Sequence, residues 1–294
     1  MTGPQMPWIC LVSVPRSGTN HICRLLERLG WLRVYLEIFD PGGPSWLDAE
    51  ALAALARATG LDLARAKDPR LGAWVHARPA ETLAALEHAA APGQRACLVK
   101  LFHDHLAPER VAETFLRRAE TRFLFVRRRP IDSYISLVKA RHVGRWLGVP
   151  TTDLRLPIEA DAFCRWHDSA SRWFARMEAL AAAAGRPAST VIYERDIHPS
   201  DLTTLRGLAN RLGQLGLPGH LPARLIAEHG AKRLIAAGAG LVGRESPWPP
   251  ALGIDRQDTA ASCAEKVSNW ARFEADLARL PGGLDRLERY CADG

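Results

Sequence analysis

Residues 8–14 (WICLVSV) form a short apolar run rich in β-formers, and they lead directly into Pro15-Arg16-Ser17-Gly18-Thr19-Asn20. Ile22, Leu25, Leu26 and Leu29 then recur at helical spacing until Gly30 ends the pattern. The reading is strand, tight loop, helix. The same alternation returns along the chain. Residues 34–39 (VYLEIF), 96–102 (ACLVKLF), 122–126 (RFLFV) and 189–193 (STVIY) read as four more strands. Helical patterns lie between them, over 48–91, 108–118, 130–146, 158–184 and 202–215, and a last one covers 264–280. Strands separated by helices predict an α/β fold, with a central parallel sheet and helices on both faces in three layers. No clear break divides the 294 residues, so residues 1–294 read as a single domain with helical insertions.

Composition narrows the class. With 47% hydrophobic and 24% charged residues the chain has the makings of a large core. No apolar run approaches the roughly 20 residues of a membrane span, and the first residues lack the basic-then-apolar pattern of a secretory signal. The six cysteines are scattered and form no CxxC, which reads as reduced thiols, a cytoplasmic location and no metal site. A net charge of +7 fits an anionic partner without naming it.

In parallel sheets ligands sit beyond the carboxyl ends of the strands. The loop at 14–20 lies at such an end and opens a helix. Gly18 lets backbone approach a ligand closely, and the free N–H groups of the first turn favour an anion. Arg16, Ser17, Thr19 and Asn20 add donors. This is a phosphate cradle, although an ordinary strand-to-helix turn has a similar look. It is not a Walker A loop, because Ser13 occupies the first glycine position and Thr19 replaces the lysine. A second basic feature, Arg127-Arg128-Arg129, ends the fourth predicted strand just before Pro130, which suits a first helical turn. An arginine there is placed to fork onto a phosphate, with Ser136 two turns into the helix. A triple arginine elsewhere is usually a solvated patch.

These two segments together resemble the sulfotransferases that use 3'-phosphoadenosine 5'-phosphosulfate (PAPS). The family's first loop has the form Pro-[Arg/Lys]-Ser-Gly-Thr, and here it stands as PRSGTNH, residues 15–21. Its second motif has an Arg, an acid four residues on and a Ser eight residues on, matched here by Arg128, Asp132 and Ser136. VIYERD around Tyr193 is similar to the family segment near the adenine. Arg256 and Gln257, within DRQDT, followed by KVSNW at 266–270, are similar to the loop that closes over the nucleotide in bacterial members. Residues 136–147, with EIF at 37–39, look closest to the bacterial carbohydrate enzymes, the trehalose 2-sulfotransferase and nodulation-factor groups.

The resemblance implies a P-loop-like fold, PAPS as co-substrate, no metal and no nucleic-acid partner. It implies sulfuryl transfer to a hydroxyl of a carbohydrate or small natural product. Arg16, Ser17, Gly18, Thr19 and Asn20 would then cradle the 5' group, and Arg128 and Ser136 would hold the 3'-phosphate. Arg16 and Lys100 would serve the leaving phosphate, unless Lys100 is an edge-strand lysine reaching water. Two residues are open as the base, Glu37 near the end of the second strand and His103 three residues after Lys100, with His105 behind them. Trp46, Trp146 and Trp248, in or near loops, are possible sugar platforms. Trp166 and Trp173, seven apart on one helix, read as core. The alternatives are a P-loop kinase, which would need a Walker lysine and a magnesium-holding Asp, and a non-catalytic nucleotide-binding module.

Overall fold

A computed structural model describes residues 6–146, 149–198, 200–228 and 262–290. Five strands, β1 (Trp8–Val12), β2 (Leu32–Tyr35), β3 (Ala96–Leu101), β4 (Thr121–Arg127) and β5 (Ala188–Ile192), form one sheet. All pairings are parallel, and the spatial order is β2-β3-β1-β4-β5. Strand β1 is therefore central, and β3 is an interior strand. Helices α1 (Thr19–Glu27), α2 (Ala49–Thr59), α3 (Pro69–Ala77), α4 (Pro79–His88), α5 (Pro108–Val111), α6 (Pro130–Val143), α7 (Ala160–Ala183), α8 (Tyr193–Asp196) and α9 (Asp201–Gln214) connect and cover the strands. The order of strands, with a loop joining central β1 to α1, gives the P-loop-like arrangement expected.

Alternation along each strand sorts the core into two layers. Ile9, Leu11, Leu98, Leu124 and Val126 pack with Ile22 and Leu26 of α1 and Leu205, Leu208 and Leu212 of α9. Trp8, Cys10, Val12, Val99, Leu101, Phe123 and Phe125 face the other way, toward Leu55, Leu71, Leu83 and Phe174 of α2, α3, α4 and α7. A third cluster joins α6 and α7 to residues 262–290 through Ile131, Ile135, Phe163, Val267, Phe273 and Leu277. Trp173 lies in the core as expected, and Trp166 packs half-buried against it. No described helix is long and apolar enough to cross a membrane.

Several boundaries differ from the sequence reading, each for a local reason. Strand β2 ends at Tyr35 instead of Phe39, because the Glu37 carbonyl accepts the amides of Asp40 at 3.4 Å and Ser45 at 3.1 Å and closes a turn. The 108–118 helix is α5 followed by a π-helical turn, Ala112–Leu116. Tyr193 starts α8 and does not end β5. Helix α6 stops at Val143, where Gly144 takes the left-handed conformation at φ 69°. The expected 264–280 helix is two pieces, Cys263–Lys266 and Trp270–Ala278. Between them Val267 bridges to Leu156, and the Asn269 side chain bonds both the amide and the carbonyl of Ile158 at 3.0 Å.

Candidate active site

The loop after β1 is rooted in the sheet before it reaches solvent. The Ser13 amide donates to the Leu101 carbonyl at 3.1 Å, and the Ser13 hydroxyl donates to the Val126 carbonyl at 2.7 Å. The Ser13 carbonyl in turn accepts the Trp173 indole N–H at 3.1 Å. Both neighbours of β1 and helix α7 thus fix where the loop departs.

Two residues of the loop then adopt the left-handed region, Arg16 at φ 72° and Gly18 at φ 76°. For glycine this is nearly free, whereas for arginine it costs about 1–2 kcal/mol. Gly18 is also the N-cap of α1 and supplies no capping side chain. A first helical turn without a side-chain cap is the kind of place where an anion binds. A Cβ on Gly18 would lie 2.3 Å from Cε2 of Tyr193, so only glycine lets that ring seat against the loop. Ser17 is fully buried, and its hydroxyl lacks a hydrogen-bond partner among the described residues. An unpartnered hydroxyl within a loop of this form fits an anion cradle, since such a group is costly to bury unmatched. Thr19 is buried beside it at the first turn of α1.

On one side of the loop stands Lys100. It is 1% exposed, near the end of interior strand β3, so it is no edge-strand lysine. Its register partner Leu11 faces α1, and Lys100 therefore points to α1 as well. The ammonium lies 2.5 Å from the Glu37 carboxylate and donates to Asn20 Oδ1 at 2.5 Å. Glu37, Lys100 and Asn20 thus meet, although they come from the turn after β2, from β3 and from α1. Cys23, one turn along α1, feels Lys100, but burial outweighs that pull and raises its thiol pKa to about 12. It is not a poised nucleophile.

His103 is exposed in the turn after β3. His105 is buried, and its Nδ1 lies 3.2 Å from the Lys100 carbonyl. A carbonyl only accepts, so Nδ1 carries the proton. Burial, first of all, holds the His105 pKa below the ordinary value of 6.5, against Asp104, Glu37 and the bond to the Lys100 carbonyl, which all act to raise it.

On the other side of the loop the three arginines diverge. Arg127 turns to α7, pairing with Glu178 at 2.6 Å and covering Phe174. Arg129 pairs with Asp132 at 2.7 Å, and its amide donates to Glu194 at 2.8 Å. Only Arg128 turns to the loop. It donates to the Arg16 carbonyl at 2.9 Å, its guanidinium lies 4.7 Å from the Tyr193 ring centre, and its Nε is buried without a partner among the described residues. Arg16 sends its side chain to α6, donating from Nε to Ser136 Oγ at 3.0 Å and from Nη1 to the Trp146 carbonyl at 2.5 Å. Burial chiefly, and the charge of Arg128 secondarily, lower the pKa of Arg16.

Asp132, the acid of the second motif, accepts from Arg129 and from Lys266 at 2.9 Å. Burial alone would raise its pKa, but these two bonds outweigh it and hold the carboxyl below the usual range. Asp132 thereby ties α6 to residues 262–290. Sequence reasoning missed this partner, as it did the Trp146 carbonyl and the Trp173 bond, because none of the three leaves a motif. Trp46 and Trp146 are 59% and 50% exposed, in keeping with loop positions. Arg256, Gln257 and Trp248 lie outside the described residues.

No family model matches the chain, and no curated protein matches it. Two sulfotransferases are among the solved structures similar to this chain. One is a sulfotransferase from Alicyclobacillus acidocaldarius, 14% identical over 82% of this chain and 97% of that one, with a TM-score of 0.41. The other is the sulfotransferase domain from the Synechococcus PCC 7002 olefin synthase, 16% identical over 96% of this chain and 98% of that one, with a TM-score of 0.40. Likeness of this degree assigns neither family nor activity.

The Gly18–Tyr193 contact and the burial of His105 each generate a prediction. Gly18→Ala suffers both the φ penalty and the collision with Tyr193, whereas adding Tyr193→Ala removes only the collision. Urea unfolding of the two single variants and the double should therefore show coupling, with the double variant more stable than the sum of the single losses. Additive losses would mean the ring does not press on the loop. For His105, the folded protein resists protonation and the unfolded chain does not. Stability is then fully present above pH ~6.5 and declines as the pH falls below it, with the unfolded state binding the extra proton. The thermal midpoint should drop between pH 7.5 and 5.5, and His105→Gln should flatten that drop. An unchanged slope in the variant would remove His105 as its source.

Proposed function

We propose that this chain is a PAPS-dependent sulfotransferase, and that residues 1–294 form one catalytic domain acting on a hydroxyl of a carbohydrate or small natural product. The observation that carries this reading is the convergence around one glycine loop of two different polar groups. A lysine–carboxylate pair, Lys100 and Glu37, lies on one side at 2.5 Å. An arginine and a helix hydroxyl, Arg128 and Ser136, serve the other, both linked to Arg16. A donor with anionic groups at both ends of a nucleoside matches such a division. A Walker-type site would carry its lysine on the loop, where this chain has Thr19.

In the reaction the acceptor oxygen forms a bond to sulfur as the bond from sulfur to the bridging phosphate oxygen breaks. The electron pair leaves with adenosine 3',5'-bisphosphate. Glu37 takes the hydroxyl proton. The Lys100 ammonium and the amides opening α1 stabilise charge on the bridging oxygen, and Asn20 holds Lys100 in place. The work is positioning and electrostatics, with no covalent enzyme intermediate. Between the two candidate bases the contacts favour Glu37, because it meets Lys100 while His103 faces solvent in the turn beyond.

Thermal shift with nucleotides tests the donor. Adenosine 3',5'-bisphosphate without magnesium should stabilise the protein, by about 2.7 kcal/mol at a hundredfold excess over Kd. Stabilisation by magnesium ATP alone would point to a kinase instead. The base is tested by turnover with labelled PAPS and an acceptor found by screening. Glu37→Gln keeps the size and cannot accept the proton, so kcat should fall by ~10²–10⁴ with little change in bisphosphate affinity. His103→Asn should cost far less. Near-full activity in Glu37→Gln with an inactive His103→Asn would reverse the two roles.

A further inference from the structure

The turn that carries Glu37 buries its small residues and exposes its largest one. Gly43, Pro44 and Ser45 are buried and Leu47 packs half-buried against the core, whereas Trp46 between them is 59% exposed. The backbone is held on both sides of it. The Ser45 amide donates to the Glu37 carbonyl at 3.1 Å. Asp48 caps α2 by accepting the Ala51 amide at 2.9 Å, and it also pairs with Arg33 of β2. The indole is therefore turned outward from a fixed segment. Trp46 has φ 63°, a region that a bulky side chain rarely adopts. Among the described residues Arg16, in the loop after β1, is the one other non-glycine residue with a positive φ. Strain of this kind persists where the surroundings enforce it, and it gathers at ligand sites.

We infer that Trp46 is the platform on which the acceptor stacks, and that this acceptor is a pyranose ring with a hydroxyl at Glu37. The inference rests on the sulfuryl-transfer reading above and deepens it, by naming the side chain that receives the acceptor and the ring it takes. Trp46 directly follows Ser45, whose amide closes the turn onto the Glu37 carbonyl, so platform and candidate base belong to one rigid unit. An indole offers a broad, stiff apolar face at small entropic cost, and a fixed backbone orients that face before a ligand arrives. Glu37 and Asp40 lie in the same turn, so the segment joins carboxylates to an exposed apolar ring. A pyranose matches this combination, with a C–H face to cover the indole and a rim of hydroxyls for carboxylates and water. A flat phenol has two apolar faces and is better served by an enclosed slot than by an open platform.

Saturation-transfer NMR tests this without turnover, using the methyl pyranosides of glucose, galactose and mannose, with 2-naphthol as the phenol, in the presence of adenosine 3',5'-bisphosphate. In the wild-type protein the signal should concentrate on the C–H protons of one face of a sugar. Trp46→Asn removes the ring and tolerates the positive φ. It should weaken sugar binding roughly 10- to 100-fold, the effect of uncovering one ring face. Trp46→Tyr should bring binding back to within about threefold of wild type. In transfer assays with labelled PAPS the loss in Trp46→Asn should fall on KM, with kcat within about twofold of wild type. Trp46→Asn should also unfold in urea no earlier than the wild type, since an exposed ring and a strained backbone are what it removes. Unchanged sugar binding in Trp46→Asn overturns the inference, as does a wild-type protein that binds the bisphosphate but no pyranoside, or 2-naphthol in preference to every pyranoside. A clear loss of stability in Trp46→Asn would make the ring structural, and a change of oligomeric state would assign it to a contact between copies. Either overturns the inference too. Failure of adenosine 3',5'-bisphosphate to stabilise the wild-type protein is a separate result and overturns the donor reading instead.

Discussion

A lysine ammonium inside a parallel sheet is a demanding group to bury, and the arrangement of its partners orders the site. Taking such a charge out of water costs several kcal/mol unless close partners offset it. Lys100 is 1% exposed and meets that demand with Glu37 and Asn20. Neither partner belongs to its own strand. The chain must therefore turn just after β2 to deliver Glu37, and α1 must begin close enough to β3 for Asn20 to reach across. The Lys100 amide still donates to the Leu36 carbonyl at 3.0 Å, so the ladder persists to the residue before the turn. Loss of this ion pair would leave a buried charge unmatched at the point where the loop, β3 and α1 meet.

The opposite flank solves a different problem, the placement of three consecutive arginines. Successive residues at a strand end point to opposite faces, and the chain gives each arginine its own destination. Arg127 finds Glu178, and Arg129 finds Asp132. The middle residue turns to the loop and rests against Tyr193. Tyr193 is thereby in contact with Arg128 and pressed close to Gly18, which explains why a residue without Cβ occurs at position 18. Asp132 also binds Lys266, so α6 couples the arginine flank to residues 262–290.

Much of the sheet was legible because its strands are short apolar runs bounded by loop residues. The loop at 14–20 was legible because glycine and proline punctuate it. Glu37 and Lys100 were individually visible as charges at strand ends, yet their contact was not, since residues 63 positions apart carry no local signal of pairing. The β2 boundary failed for a physical reason. VYLEIF has the composition of a strand throughout, but the carbonyl of Glu37 is claimed by two amides downstream, and the turn overrides propensity. The Arg16 side chain was read from its position in a motif. Its direction depends on a positive φ and on a backbone carbonyl at Trp146, and neither can be inferred from residue types.

The separation of the two flanks has a kinetic meaning under the proposed reaction. Contacts to a group that does not change during transfer stabilise ground state and transition state alike, and so they govern donor affinity. Contacts to the bridging oxygen and the acceptor proton strengthen only as sulfur moves, and so they govern turnover. The loop divides these tasks between α6 and the β2–β3 edge of the sheet. In the proposed reaction the Lys100–Glu37 contact would couple the two tasks: the ion pair weakens Glu37 as a base, and Glu37 would gain basicity as the attraction of Lys100 shifts to the developing negative charge.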